Sequence, residues 1–149
     1  MRINAIGAVT KPLQPAFLAI PSSAQDNIAV NTAVTVVFGT EIFDQNADFA
    51  SNTFTAPVTG KYHLDAMARV QAIDSASSYY FFQITTSNRV YQHIVDPDYG
   101  QDNDYYTFNV NVLADMDAND TAYVIIQQGT GTAQSDLQVK SHFSGYLAC

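Results

Sequence analysis

Apolar and polar residues alternate along most of this chain, and no stripe of helical period competes with that alternation. In GKYHLDAMARV (60–70), Tyr62, Leu64, Ala66, Ala68 and Val70 share one face of an extended strand. YYTFNVNVLA (105–114) sends Tyr106, Phe108, Val110 and Val112 one way, and Thr107, Asn109 and Asn111 the other. Further blocks of strand character are NTAVTVVFG (31–39), YYFFQITT (79–86), RVYQHIV (89–95), TAYVIIQQ (121–128) and SHFSGYLA (141–148). Asp, Asn, Gly and Pro punctuate them. Eight or more short strands at a spacing of about ten residues predict an all-β sandwich or jelly roll. No internal repeat and no domain boundary interrupts the series. Residues 1–14, a polar mix with Gly7 and Pro12, read as a lead-in or attachment segment, and 15–149 as the domain.

Composition narrows the function classes. A chain of 149 residues fits one domain that buries roughly two thirds of its unfolded surface. Charged residues make up only 13%, about half the usual share, so Asn, Gln, Ser and Thr must supply the polar surface. This suits a chain partly buried against copies of itself, or an extracellular or virion protein. The net charge is -8, and the six cations are scattered, which argues against nucleic acid and against attachment to an anionic membrane. No apolar run is long enough to insert into a bilayer. The first residues lack the apolar block of a signal peptide, so the chain is expected either to avoid that export route or to be a piece of a longer one. Cys149 is the single cysteine, and no internal disulfide can form.

In FTAPVTGKYHLDA (54–66), Phe54, Pro57, Gly60 and Tyr62 follow one another at the spacing F-T-x-P-x-x-G-x-Y. Phe38, Asp44 and Phe49 precede them. QPAFLAI (14–20) and SHFSGYLA (141–148), with its Phe143-Ser144-Gly145-Tyr146 centre, flank the whole. Together these blocks resemble the complement C1q globular-head family, of the C1q/tumour necrosis factor superfamily, over residues 14 to 148. The resemblance implies a ten-stranded jelly-roll sandwich that assembles as a homotrimer. Phe17, Phe54, Tyr62, Phe143 and Tyr146 would then fill the sandwich and its trimer seam. Pro57 would end a strand where no donor is needed, and Gly60 would permit a tight turn. The interval from Phe49 to Phe54 is about two residues shorter than usual in the family, and the loop after residue 95 is longer. The wording of the chain resembles the form found in bacteriophage and bacterial proteins, often at the end of tail-fibre-like chains.

Candidate chemistry concentrates in VDPDYGQDNDYY (95–106), where Asp96, Asp98, Asp102 and Asp104 fall close together. Calcium takes six to eight oxygens of this kind, and several relatives bind it near the trimer apex. The resemblance therefore points to Asp98, Tyr99, Gln101 and Asp102 as calcium ligands. The alternative is a solvated loop held open by self-repulsion. DMDAND (115–120) fails as an EF-hand, because its sixth position is Asp120 and its twelfth is Ile126, and it reads as a turn. His63, His93 and His142 are isolated and read as exposed or hydrogen-bonded strand residues. No nucleophile elbow, Cys/His pair, phosphate-binding glycine loop or fixed carboxylate pair is visible, so the chain is expected not to be an enzyme. Outward Tyr residues in YYFF and YY suit binding surfaces or a subunit interface.

The leading expectation is a non-enzymatic homotrimeric binding module, virion-associated in the manner of a tail-fibre tip, that recognises a host-surface protein or glycan. A structural capsid-decoration or fibre trimer with no ligand is the alternative, and a polysaccharide hydrolase the third.

Overall fold

The alternation of residues 60–70 becomes one long strand whose every second side chain is buried. The computed structural model describes residues 2–3, 7 and 9–149. In chain order its strands are β1 (Arg2–Ile3), β2 (Val9–Thr10), β3 (Ala16–Ile20), β4 (Val34–Thr35), β5 (Thr40–Gln45), β6 (Phe49–Ala50) and β7 (Thr53–Thr55). There follow β8 (Gly60–Ile73), β9 (Tyr80–Thr86), β10 (Val90–Val95), β11 (Asn103–Met116), β12 (Thr121–Gln128), β13 (Asp136–Leu137) and β14 (His142–Leu147). The lead-in segment 1–14 falls partly outside the described residues. Among those described, β1 and β2 pair with each other.

Two antiparallel six-stranded sheets form a jelly-roll sandwich. The first runs β10-β9-β12-β7-β6, with β4 added along β12, and the second runs β11-β8-β14-β3-β5, with β13 added along β8. First and last long strands lie side by side, Phe17 opposite Gly145 and Ala19 opposite Phe143. Most hydrogen-bonded neighbours are distant in sequence, so the inward faces, not local propensity, select the register.

Between the sheets sits an aromatic cluster built from the blocks that the sequence singles out. Phe17 lies 5.0 Å from Phe49, 4.8 Å from Phe54 and 5.0 Å from Phe143. Phe54 is 5.4 Å from Tyr62, and Phe38 is 5.9 Å from Phe143. All six are buried, and each contributes about 1.5–3 kcal/mol of burial. The Tyr62 hydroxyl donates to the Val58 carbonyl at 2.7 Å, which satisfies its one polar atom inside the core. Gly145 makes the cluster possible, since a Cβ there would meet Leu64 Cδ2 at 2.7 Å and Phe17 Cε1 at 2.8 Å.

One block departs from the sequence reading, and three details sharpen it. The block 31–39 is not a full strand. Only Val34 and Thr35 pair with β12, and Asn31 enters the segment at φ 58°. Val36 and Phe38 still face the core, but the Phe38 N–H donates to the Asn52 side chain. Gly60 ends the turn, and close approach is what requires a glycine there. It opens β8, where a Cβ would meet Leu147 Cδ1 at 2.6 Å and the Cys149 carbonyl at 2.7 Å. Tyr146 points away from the sandwich at 48% exposure, because Phe143 and Gly145 hold the inward positions of β14, so of its two expected places the trimer seam is the one a single chain leaves open. The short interval between Phe49 and Phe54 is a two-residue hairpin: the two Phe pair across β6 and β7, and Ser51 (φ 50°) and Asn52 (φ 66°) make the turn.

Candidate functional site

Segments 74–79, 96–102 and 129–135 gather at one end of the sandwich, and a buried carboxylate ties two of them together. Asp74 follows β8 and is only 1% exposed. Its carboxylate accepts from the main-chain N–H groups of Ala76 and Ala133, both at 2.8 Å, and from that of Thr132. Burial alone would favour the neutral acid, but these donors outweigh it and hold the Asp74 carboxyl below the ordinary carboxylate value. The Asp74 N–H in turn donates to the Tyr80 hydroxyl at 2.9 Å, which lies 2.7 Å from the Ser135 hydroxyl. Ser135 Oγ donates to the Ala72 carbonyl, and Gln128 bonds both the Ser135 N–H and the Ala133 carbonyl. A satisfied polar network of this kind fixes one loop conformation. Sequence reasoning missed it. Asp74 sits in a run of small turn residues, and two of its three main-chain donors, Thr132 and Ala133, lie nearly sixty positions away.

The residues expected to hold calcium, Asp98, Tyr99, Gln101 and Asp102, are at this same end. Asp102 Oδ1 accepts from the Ser75 N–H (2.9 Å) and hydroxyl (2.7 Å), so it anchors the 96–102 loop to the 74–79 turn. Asp98 and Gln101 are exposed, and the Asp98 N–H donates to Asp96 Oδ1. Tyr99 is 42% exposed, and its phenol is pushed up by desolvation, by Tyr106 and by Asp96. Among the described residues no three His, Cys, Asp or Glu side chains converge on a metal position. A calcium ion needs six to eight oxygens, which carboxylates, amides and main-chain carbonyls can all supply.

The opposite end carries the turn 56–60, the turn 117–120 and the last residues. Asp120 Oδ2 accepts from the Asp117 N–H at 2.8 Å, and the Asp120 N–H donates to the Asp117 carbonyl, so DMDAND is a self-capped turn. Arg89 grips Asp115 with two nitrogens, at 3.1 and 2.6 Å, and holds that carboxyl below its ordinary value. A groove of about 860 Å³ opens between Lys11–Pro15, Pro57–Val58 and Leu147–Cys149.

The two outward sheet faces differ in chemistry. That of the second sheet mixes ions with large apolar groups. His142 Nε2 pairs with Asp65 at 2.7 Å, the Arg69 guanidinium lies 4.3 Å from the Tyr105 ring centre, and His63 packs on Tyr146 at 5.2 Å. Phe43, Leu113 and Tyr146 are exposed around them. His93 belongs to the other sheet and turns inward at the open edge, where its Nδ1 meets the Asn109 backbone. Thus each histidine is a strand residue with a structural neighbour. The outward face of the first sheet carries no ions on its strands.

A sandwich of this topology, with its aromatic cluster shared between first and last strands, defines the jelly-roll class. The sequence profile described as "C1q domain" matches residues 16–148, and the chain belongs to that family. C1q-like domains are typically trimeric binding modules without enzymatic activity. Among solved structures, the globular domain of the zebrafish complement 1qA protein is similar at a TM-score of 0.61 and 14% identity, over 91% of this chain and 98% of that one. Murine APRIL at pH 8.5 is similar at a TM-score of 0.63 and 10% identity, over 90% of this chain and 98% of that one. At such identities the likeness is one of fold. No curated protein sequence matches the chain.

Proposed function

We propose that the chain is a homotrimeric C1q-like recognition module, carried on a virion in the manner of a fibre tip, which binds a host-surface protein or glycan. One observation carries this reading: the loop end is pre-organised by the buried Asp74 network. Pre-ordered loops lose little entropy on binding, and threefold display turns weak contacts into avidity. The second sheet's outward face, with Phe43, Leu113 and Tyr146 exposed beside the His142–Asp65 contact, supports burial against copies of the chain. Calcium would be held at the loop end by Asp98, Tyr99, Gln101 and Asp102, where copies of the chain could pool their oxygens.

Fluorescently labelled protein incubated with host cells tests the reading. Recognition predicts saturable binding that excess unlabelled protein displaces. Absent binding, together with intact assembly onto virions, would select the structural capsid-decoration or fibre reading instead. Breakdown of a surface polysaccharide during the incubation would contradict both.

A further inference from the structure

The outward face of the first sheet combines three strands in register. β9 turns Phe81, Gln83 and Thr85 outward, between buried Tyr80, Phe82, Ile84 and Thr86. Beside it β12 presents Tyr123, Ile125 and Gln127. On the other flank β10 presents Val90, Gln92 and Ile94. Pairing aligns them in three rows: Ile94, Phe81 and Gln127, then Gln92, Gln83 and Ile125, then Val90, Thr85 and Tyr123. Strand spacing and rise make this patch roughly 10 by 14 Å, the span of a short run of sugar rings. Every row joins an apolar group to a hydrogen-bonding one, and none contains a charge.

Several of these side chains are already held. Tyr79 extends the first row, its ring parallel to that of Phe81 within 4° at 6.1 Å. Gln127 Nε2 donates to the Tyr79 hydroxyl at 2.8 Å, and Gln83 Nε2 donates to Thr85 Oγ1 at 2.9 Å. Orienting groups before a ligand arrives lowers the entropy lost on binding.

We propose that this face binds a neutral polysaccharide. Amide groups both donate and accept, which matches the hydroxyls of a sugar. Aromatic rings at half burial suit the C–H faces of pyranose rings. A polyanion fits poorly: the chain carries a net charge of -8, and the strands of this face offer no cation to offset it. A further copy of the chain would find no ion pairs here, unlike on the other sheet. The inference rests on the proposed trimer only for avidity, because each chain carries a whole face.

Affinity electrophoresis through gels containing soluble neutral glucans, mannans or galactans tests it, with hyaluronan as the anionic probe. Light scattering reports the trimer separately. The wild type is expected to be retarded by at least one neutral polymer and not by hyaluronan. Phe81→Ser and Gln83→Ala should each weaken retardation at least tenfold, with mass and circular dichroism unchanged. Tyr99→Ala, at the loop end, should leave it intact. Free migration through all the neutral polymers overturns the proposal, as does retardation that survives Phe81→Ser. Loss of retardation in Tyr99→Ala alone would return recognition to the loops, and a fall in mass in Phe81→Ser would make the face a contact between copies. Either also overturns the proposal. A monomeric protein that is still retarded would sink the trimer and leave this site standing.

Discussion

Removing the Asp74 carboxylate should loosen the loop end by an amount that its hydrogen bonds set. Three main-chain donors converge on it, those of Ala76, Thr132 and Ala133. A hydrogen bond to a charged acceptor contributes about 1.5–3 kcal/mol, and an orphaned buried donor costs about as much. Thr132 and Ala133 lie in an exposed loop, so water recovers part of the loss once the side chain is gone. Asp74→Ala is therefore expected to destabilise by about 2–4 kcal/mol. Asp74→Asn keeps one acceptor but turns an NH₂ towards a donor, and about 1–3 kcal/mol should go. Urea unfolding followed by circular dichroism, at one fixed protein concentration, would then shift its midpoint by about 0.5 M or more. The pH dependence has a definite sign. With the folded pKa below the unfolded one, this stabilisation is present above the ordinary carboxylate value and disappears as pH falls through the depressed folded value. Wild type and Asp74→Asn should therefore converge in acid. Variants within about 0.5 kcal/mol of wild type at neutral pH, less than the scatter usual for surface substitutions, would refute the argument.

Asp48 has the opposite sign. Burial and neighbouring Asp44 push its carboxyl up, and its Oδ2 is buried without a partner. Asp48→Asn should raise the urea midpoint at neutral pH, and the gain should shrink as pH falls through the raised folded pKa. Phe143→Ala opens the centre of the aromatic cluster and should cost about 3–5 kcal/mol by the same assay. Gly145→Ala should cost about 1–3 kcal/mol, because its methyl group meets Phe17 and Leu64 below 3 Å. Phe43→Asp, on the exposed face of β5, should lower the solution mass while circular dichroism keeps the strand signal.

Strands were legible wherever one face is buried and the other is not, since such a segment must alternate. The block 60–70 and the blocks around Phe108 and Ile126 therefore became β8, β11 and β12. Residues 31–39 are as rich in β-branched side chains, but Asn31 has a left-handed φ and Asn52 takes the Phe38 N–H, so the regular ladder is short although the Asn31 and Val36 N–H groups still donate to β12 carbonyls. The aromatic cluster was visible through motif spacing, whereas the outward position of Tyr146 follows from Gly145 facing Phe17, which only the paired register reveals. At the loop end, the four acids between 96 and 104 stood out by their density, yet Asp102 serves Ser75. The carboxylate that organises the end is Asp74, which is inconspicuous in sequence because its partners become neighbours only in the folded chain. The same holds for the uncharged face of the first sheet, whose rows exist only once three strands are in register.

Light scattering on a sizing column, with calcium and again with EDTA, tests the central claim most directly. A trimeric binding module predicts a mass three times the 16.3 kDa of one chain in calcium. The same mass in EDTA would make the 96–104 loop a ligand-facing or solvated feature, and a trimer that loosens in EDTA would place a shared cation there. A mass of one chain in both buffers would contradict the account.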